Sequence, residues 1–166
     1  MIRSFLPHSD KVICVSKATR AACVERGVPE DRLSVIPNGI DFRSWGKISN
    51  EKDRYIGDIG VNGEPIILSV GRLVERKGIH WFISEVFPIL QSRVRDVQYV
   101  VIGDGNWRRT VEKAARNSGL DERIHILGHV DDRQLARAYN MASVMVVPNL
   151  PIENDIEGFG ICNLES

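Results

Sequence analysis

From Pro65 onward, short β-branched runs alternate with stretches of helical periodicity, and this alternation excludes most architectures open to a chain of this size. Ile66 to Val70, Val97 to Ile102, Ile124 to Leu127 and Val144 to Val147 read as buried strands. Between them, Phe82, Val86, Ile89 and Leu90 mark the inner face of a first helix, which Pro88 is expected to kink. Trp107, Val111, Ala114 and Ala115 mark a second helix, closed by Gly119. Asp131 or Asp132 can cap a third, whose face carries Leu135, Ala138, Tyr139 and Ala142. Apolar strands joined by amphipathic helices imply an α/β fold, a doubly wound, Rossmann-like parallel sheet covered on both faces, with right-handed crossovers. On such a sheet, ligands bind outside the carboxyl ends of the strands.

The segment before this repeat has a different character. Lys11 to Val15 is a compact strand, followed by Ser16 as N-cap of a helix bearing Ala18, Ala21, Ala22 and Val24, with Gly27 as C-cap. Leu33 to Ile36 is a further apolar run that ends in the turn Pro37, Asn38, Gly39. About forty residues are too few to bury a core unaided, so 1–42 reads as the remnant of a larger domain. Residues 43–63 are polar, glycine-rich and without sustained period, and read as a linker. The main domain is then 64–166.

Charge and cysteine content narrow the partners. Lysine plus arginine and aspartate plus glutamate both count 22, so no net field points to nucleic acid. Three cysteines, Cys14, Cys23 and Cys162, have no metal-ligand spacing and fit reduced thiols, with Cys14 and Cys162 read as core atoms. No apolar run approaches the ~18 residues of a membrane-spanning helix, and the expected location is the cytoplasm.

Chemistry-bearing residues gather in the strand-end loops. After the first strand come Gly71, Arg72, Leu73, Val74, Glu75, Arg76, Lys77 and Gly78. A guanidinium and an ammonium in one loop suit a diphosphate, and equally suit a solvated basic loop. Gly103, Asp104, Gly105 and Asn106 begin like a dinucleotide fingerprint, which fails where Arg108 replaces the third glycine. These glycines are assigned to a tight turn against the ligand cleft. Near the end, Glu157 and Glu165 flank Gly158, Phe159, Gly160 and Ile161, a spacing that places a helix N-terminus between two carboxylates. Glu153, Asp155 and Glu157 alternate on the approach to this turn and read as solvated, with no metal expected.

Taken in order, Gly71-Arg72-Leu73 with Lys77-Gly78, Val101 to Gly105, Gly128-His129-Val130, and Glu157 to Gly160 with Glu165 resemble the donor-binding half of a retaining GT-B glycosyltransferase of family 4. Val12 to Ser16 and Val35 to Asp41 resemble the segment that joins the halves of such enzymes. The resemblance implies a nucleoside-diphosphate sugar as donor, an unspecified glycosyl acceptor, and catalysis without metal or cofactor. It implies that Arg72 and Lys77 bind the diphosphate and stabilise the leaving group. Glu157 would lie beside the transferred sugar as the third catalytic group, and Glu165 would accept from ribose hydroxyls. Gly71, Gly103 and the backbone around Val130, Gly158, Phe159, Gly160 and Ile161 would complete the donor site.

Against that family the chain is short at both ends, so it is expected to be a truncated piece, poorly active alone. Product is expected in polysaccharide or glycoconjugate synthesis, and peripheral membrane attachment of the full-length protein stays open. Two alternatives remain: a nucleotide-sugar-binding module without activity, and a sugar-nucleotide epimerase of the same architecture.

Overall fold

The computed structural model describes residues 6–41, 61, 65–153, 160 and 162–165. The chain divides into two compact units, one drawn from 1–41 with 151–164, the other from 42–150 with 165–166.

In the smaller unit, β1 (Val12–Cys14) leads into α1 (Lys17–Glu25) and then β2 (Leu33–Val35), which pairs in parallel with β1. Ser16 starts α1 as expected. Its hydroxyl accepts from the Thr19 amide and the Thr19 hydroxyl accepts from the Ser16 amide, a reciprocal capping box. Gly27, at φ 83°, follows the last turn, where a left-handed residue is needed to turn the chain back. Cys14, Val28 and Leu33 form the buried cluster between strand and helix.

The larger unit holds four parallel strands, β3 (Ile66–Val70), β4 (Gln98–Ile102), β5 (Ile124–Gly128) and β6 (Val144–Met145). Their order in the sheet is β5-β4-β3-β6. The joining helices are α2 (Ile79–Trp81, Phe82–Val86 and Phe87–Arg93, in continuous succession), α3 (Arg108–Ser118) and α4 (Asp132–Met141). A last helical turn, α5, spans Cys162–Glu165.

Period-two alternation builds both cores. Ile67, Tyr99 and Val101 face one side and pack with Ile79, Phe82, Ile83 and Phe87 of α2 and Val111 and Ala115 of α3. Ile66, Leu68, Val100 and Ile102 face the other, against Ala138 and Met141 of α4. Val61, placed by the sequence in the connecting stretch, is fully buried in this second cluster; the rest of 43–63 lies outside the described residues.

Two expectations about elements are corrected. Ile89 is 55% exposed, whereas Phe82, Ile83 and Phe87 are buried. The reason is a π-helical segment, Phe82–Val86, in which the Phe87 amide reaches back five residues to the Phe82 carbonyl. That wider turn absorbs one extra residue and rotates the following face, so Phe87 points inward and Ile89 outward. It also ends where Pro88 has no amide to offer the preceding turn. The fourth strand is shorter than expected, with β6 ending at Met145 because only Ile67 and Leu68 of β3 have partners there.

Candidate functional site

The strand order fixes where a cleft must open. The chain leaves β3 for β4 and β5 through α2 and α3 on one face, then returns by α4 on the other face to place β6 beside β3. Between β3 and β6 the connections diverge, and the carboxyl ends of the two strands border a crevice. Ser69, Gly71, Arg72, Lys77, Val146 and Pro148 are among its lining residues. A larger cleft of about 340 Å³ adjoins it over the ends of β3, β4 and β5, lined among others by Gly71, Arg72, Gly103, Asp104, His129 and Val130. That volume falls in the range of small-molecule sites.

Backbone contacts between successive loops shape this edge. Gly71 donates to the Ile102 carbonyl, Gly103 to Gly128, and Leu73 to Asp104, each at 2.8–2.9 Å. Gly103 sits at φ 133°, and a β-carbon there would run into the Gly71 carbonyl. The glycines after β4 therefore serve close loop packing, as the failed fingerprint suggested.

Lys77 owes its position to a single turn of 3-10 helix, Glu75–Lys77, ended by Gly78 in the left-handed region at φ 63°. Its side chain is buried, and a β-carbon on Gly71 would lie 3.6 Å from its Cε and 3.9 Å from its Nζ. Gly78 approaches the Pro148 carbonyl so closely that a β-carbon would clash, and the Leu150 amide donates to the Arg76 carbonyl at 2.7 Å. The loop after β3 is thus tied to the segment after β6. Arg72, by contrast, is exposed and lines both cavities. One cation lies in the floor and one at the mouth of the same edge.

Under the crevice runs a polar relay that sequence reasoning missed. The Tyr99 hydroxyl donates to Ser69 Oγ at 2.8 Å, and Ser69 donates to the Val146 carbonyl at 2.6 Å, linking β4, β3 and the end of β6. Burial holds the Tyr99 hydroxyl protonated, far above the ordinary tyrosine range. A serine within an otherwise apolar strand was the signal that could have found it.

Of the carboxylates, Glu165 Oε2 accepts a 2.8 Å hydrogen bond from the Tyr139 hydroxyl, so α4 holds the end of α5. Glu165 is not among the lining residues of either cavity. Asp104 accepts from the Gly105 amide at 2.7 Å and pairs with Arg108 at 3.5 Å. Gly160 is partly buried, whereas Glu157, Gly158, Phe159 and Ile161 lie outside the described residues. Among the described residues, no group of three or more metal-ligating side chains converges, and no helix is long and apolar enough to cross a membrane.

The chain as a whole, in sequence and in fold, has parallels among known proteins. The model of the family "Glycosyl transferases group 1" matches residues 51–166, and that of "Glycosyltransferase Family 4" matches residues 1–44. The chain belongs to the group 1 glycosyltransferases. It is 34% identical over 167 aligned positions to the glycosyltransferase MJ1607 of Methanocaldococcus jannaschii, covering 96% of this chain and 40% of that protein. It is 28% identical to a GDP-mannose-dependent alpha-(1-6)-phosphatidylinositol monomannoside mannosyltransferase of Mycolicibacterium smegmatis, covering 95% of this chain and 42% of the relative. Among solved structures, Anabaena HepE in complex with UDP and glucose superposes with a TM-score of 0.83 at 20% identity, covering 99% of this chain and 44% of that one. The fold is that of the GT-B glycosyltransferases. The chain spans about two fifths of the length of the curated relatives it matches.

Proposed function

We propose that this group 1 glycosyltransferase chain carries the donor site of an enzyme that takes a nucleoside-diphosphate sugar and transfers its glycosyl group, with retention, to an acceptor. The observation that carries this reading is the pairing of Arg72 and Lys77 around Gly71 at the carboxyl end of β3. A departing diphosphate gains negative charge as the glycosidic bond breaks. Cations already held in place by the loop stabilise that charge without reorganising, and no metal is needed for it. The close packing of Gly103 on Gly71 fixes the path of the loop on which Arg72 stands.

In this reading Arg72 grips phosphate oxygens through its planar fork, and Lys77 acts as a point charge from the floor of the crevice. The base lies towards Val130, where backbone groups meet it. Glu165, oriented by Tyr139, accepts from the ribose hydroxyls, and the sugar extends towards Glu157 and the amides of Gly158, Phe159, Gly160 and Ile161. The carboxylate of Glu157 favours the positive charge that develops on the sugar. HepE, crystallised with UDP and with UDP-glucose, and the GDP-mannose-dependent mannosyltransferases support a nucleotide-sugar donor. The acceptor belongs to the whole protein, working in glycan or glycoconjugate synthesis in the cytoplasm.

Calorimetric titration with uridine, guanosine and adenosine diphosphates tests the reading. One nucleotide is expected to bind, and Arg72→Ala to weaken it by about 10- to 100-fold, the loss of a charge-assisted hydrogen bond worth roughly 1.5–3 kcal/mol. Binding that is indifferent to both Arg72→Ala and Lys77→Ala sinks it.

A further inference from the structure

We propose that Cys14 and Cys23 form a dithiol that oxidises to an intramolecular disulfide, a covalent modification site in the smaller unit. The inference is independent of the donor-site reading.

Cys14 ends β1 and Cys23 lies on α1, and the two sulfurs stand 3.9 Å apart with the Cys14 thiol donating to Cys23 Sγ. A disulfide needs about 2.05 Å, so the sulfurs, already in contact, must close the remaining gap for the bond to form. Both residues belong to the cluster that packs strand against helix. Packing of β1 against α1 thus brings the two sulfurs together.

The two thiols differ in a way that sets the order of reaction. Cys14 is 3% exposed, and burial followed by its hydrogen bond to Cys23 raises its pKa. Cys23 is only partly buried, so its sulfur is the one an external disulfide can reach. The Cys23 thiolate therefore attacks a small external disulfide, such as glutathione disulfide, forming a mixed disulfide and expelling one thiolate. Cys14 then loses its proton to solvent and attacks the Cys23 sulfur, expelling the second thiolate. Two protein thiols are oxidised to one disulfide, and one external disulfide is reduced to two thiols. Closing the strand-to-helix turn covalently restricts the unfolded chain and stabilises the unit.

The test incubates the full chain with glutathione disulfide, quenches with an alkylating agent and maps peptides without reduction. The expected product is a peptide pair joining Cys14 to Cys23. It should persist in Cys162→Ser, vanish in Cys23→Ser, and shift the urea midpoint upward in a manner reversed by dithiothreitol. Phenylarsine oxide gives a second readout on the reduced protein, since it bridges paired thiols with loss of water: one adduct per chain is expected, and none on Cys23→Ser. Stable glutathione adducts at Cys23, disulfides through Cys162, or chains joined to each other in place of the Cys14–Cys23 link overturn the proposal.

Discussion

Gly103 has its α-carbon so near the Gly71 carbonyl, at φ 133°, that even a methyl group has no place. Gly103→Ala is expected to cost about 1–3 kcal/mol from backbone strain alone, read from urea unfolding. If the donor site is as proposed, the loosened loop also weakens nucleotide binding. His125 offers a second residue-scale test. Its Nε2 hydrogen-bonds to the buried Gln98 Oε1 at 3.0 Å, and burial lowers its pKa. A lowered folded pKa means that the unfolded chain binds the proton first, near the ordinary value of about 6.5. Stability from this residue is present above that pH and is lost as pH falls through it towards the folded pKa. The urea midpoint should therefore drop between neutral and mildly acidic pH, and His125→Gln should flatten the dependence. Arg72 and Lys77 were legible as a pair of loop cations, which by themselves also fit a solvated basic loop, and only the order of the surrounding motifs marked them as site candidates. The different depths at which they sit were not, since burial of Lys77 depends on Pro148 and Leu150, some seventy positions away, closing on Gly78.

At the scale of elements, capping chemistry read directly from sequence. Ser16, Gly27, Gly119 and Asp131 all terminate helices where local residue type implies, Asp131 through a reciprocal bond with Gln134. Helix α2 did not read so simply. A regular period of 3.6 assigns Ile89 to the core, and the π-helical segment before Pro88 transfers that role to Phe87, which packs 5.6 Å centroid to centroid from Tyr99. Ile89→Lys is therefore expected to change stability by no more than about 0.5 kcal/mol, whereas Phe87→Ala should cost about 3–5 kcal/mol. Thermal or denaturant unfolding of the two variants decides between the π-helical register and an uninterrupted α-helix, in which Ile89→Lys would be severe.

At the scale of the molecule, binding and stability are linked. A nucleotide that binds only the folded larger unit should stabilise it by about 2.7 kcal/mol at a hundred times its dissociation constant. The rise in thermal midpoint should follow the one preferred nucleotide and shrink in Arg72→Ala at the same nucleotide concentration, checked by scanning fluorimetry. The alternation of strands and helices and the parallel sheet follow from the sequence itself, because periodicity and capping are local properties that each segment expresses alone. Family membership, too, was legible, since the order of short motifs survives in one dimension. Tertiary structure alone decided which strands adjoin, and so where the connections diverge and the crevice opens between β3 and β6. It alone set the Tyr99–Ser69–Val146 relay, the Tyr139 hold on Glu165 and the approach of Cys14 to Cys23. These are contacts between residues that packing brings together, and local preferences along the chain carry no record of such distances.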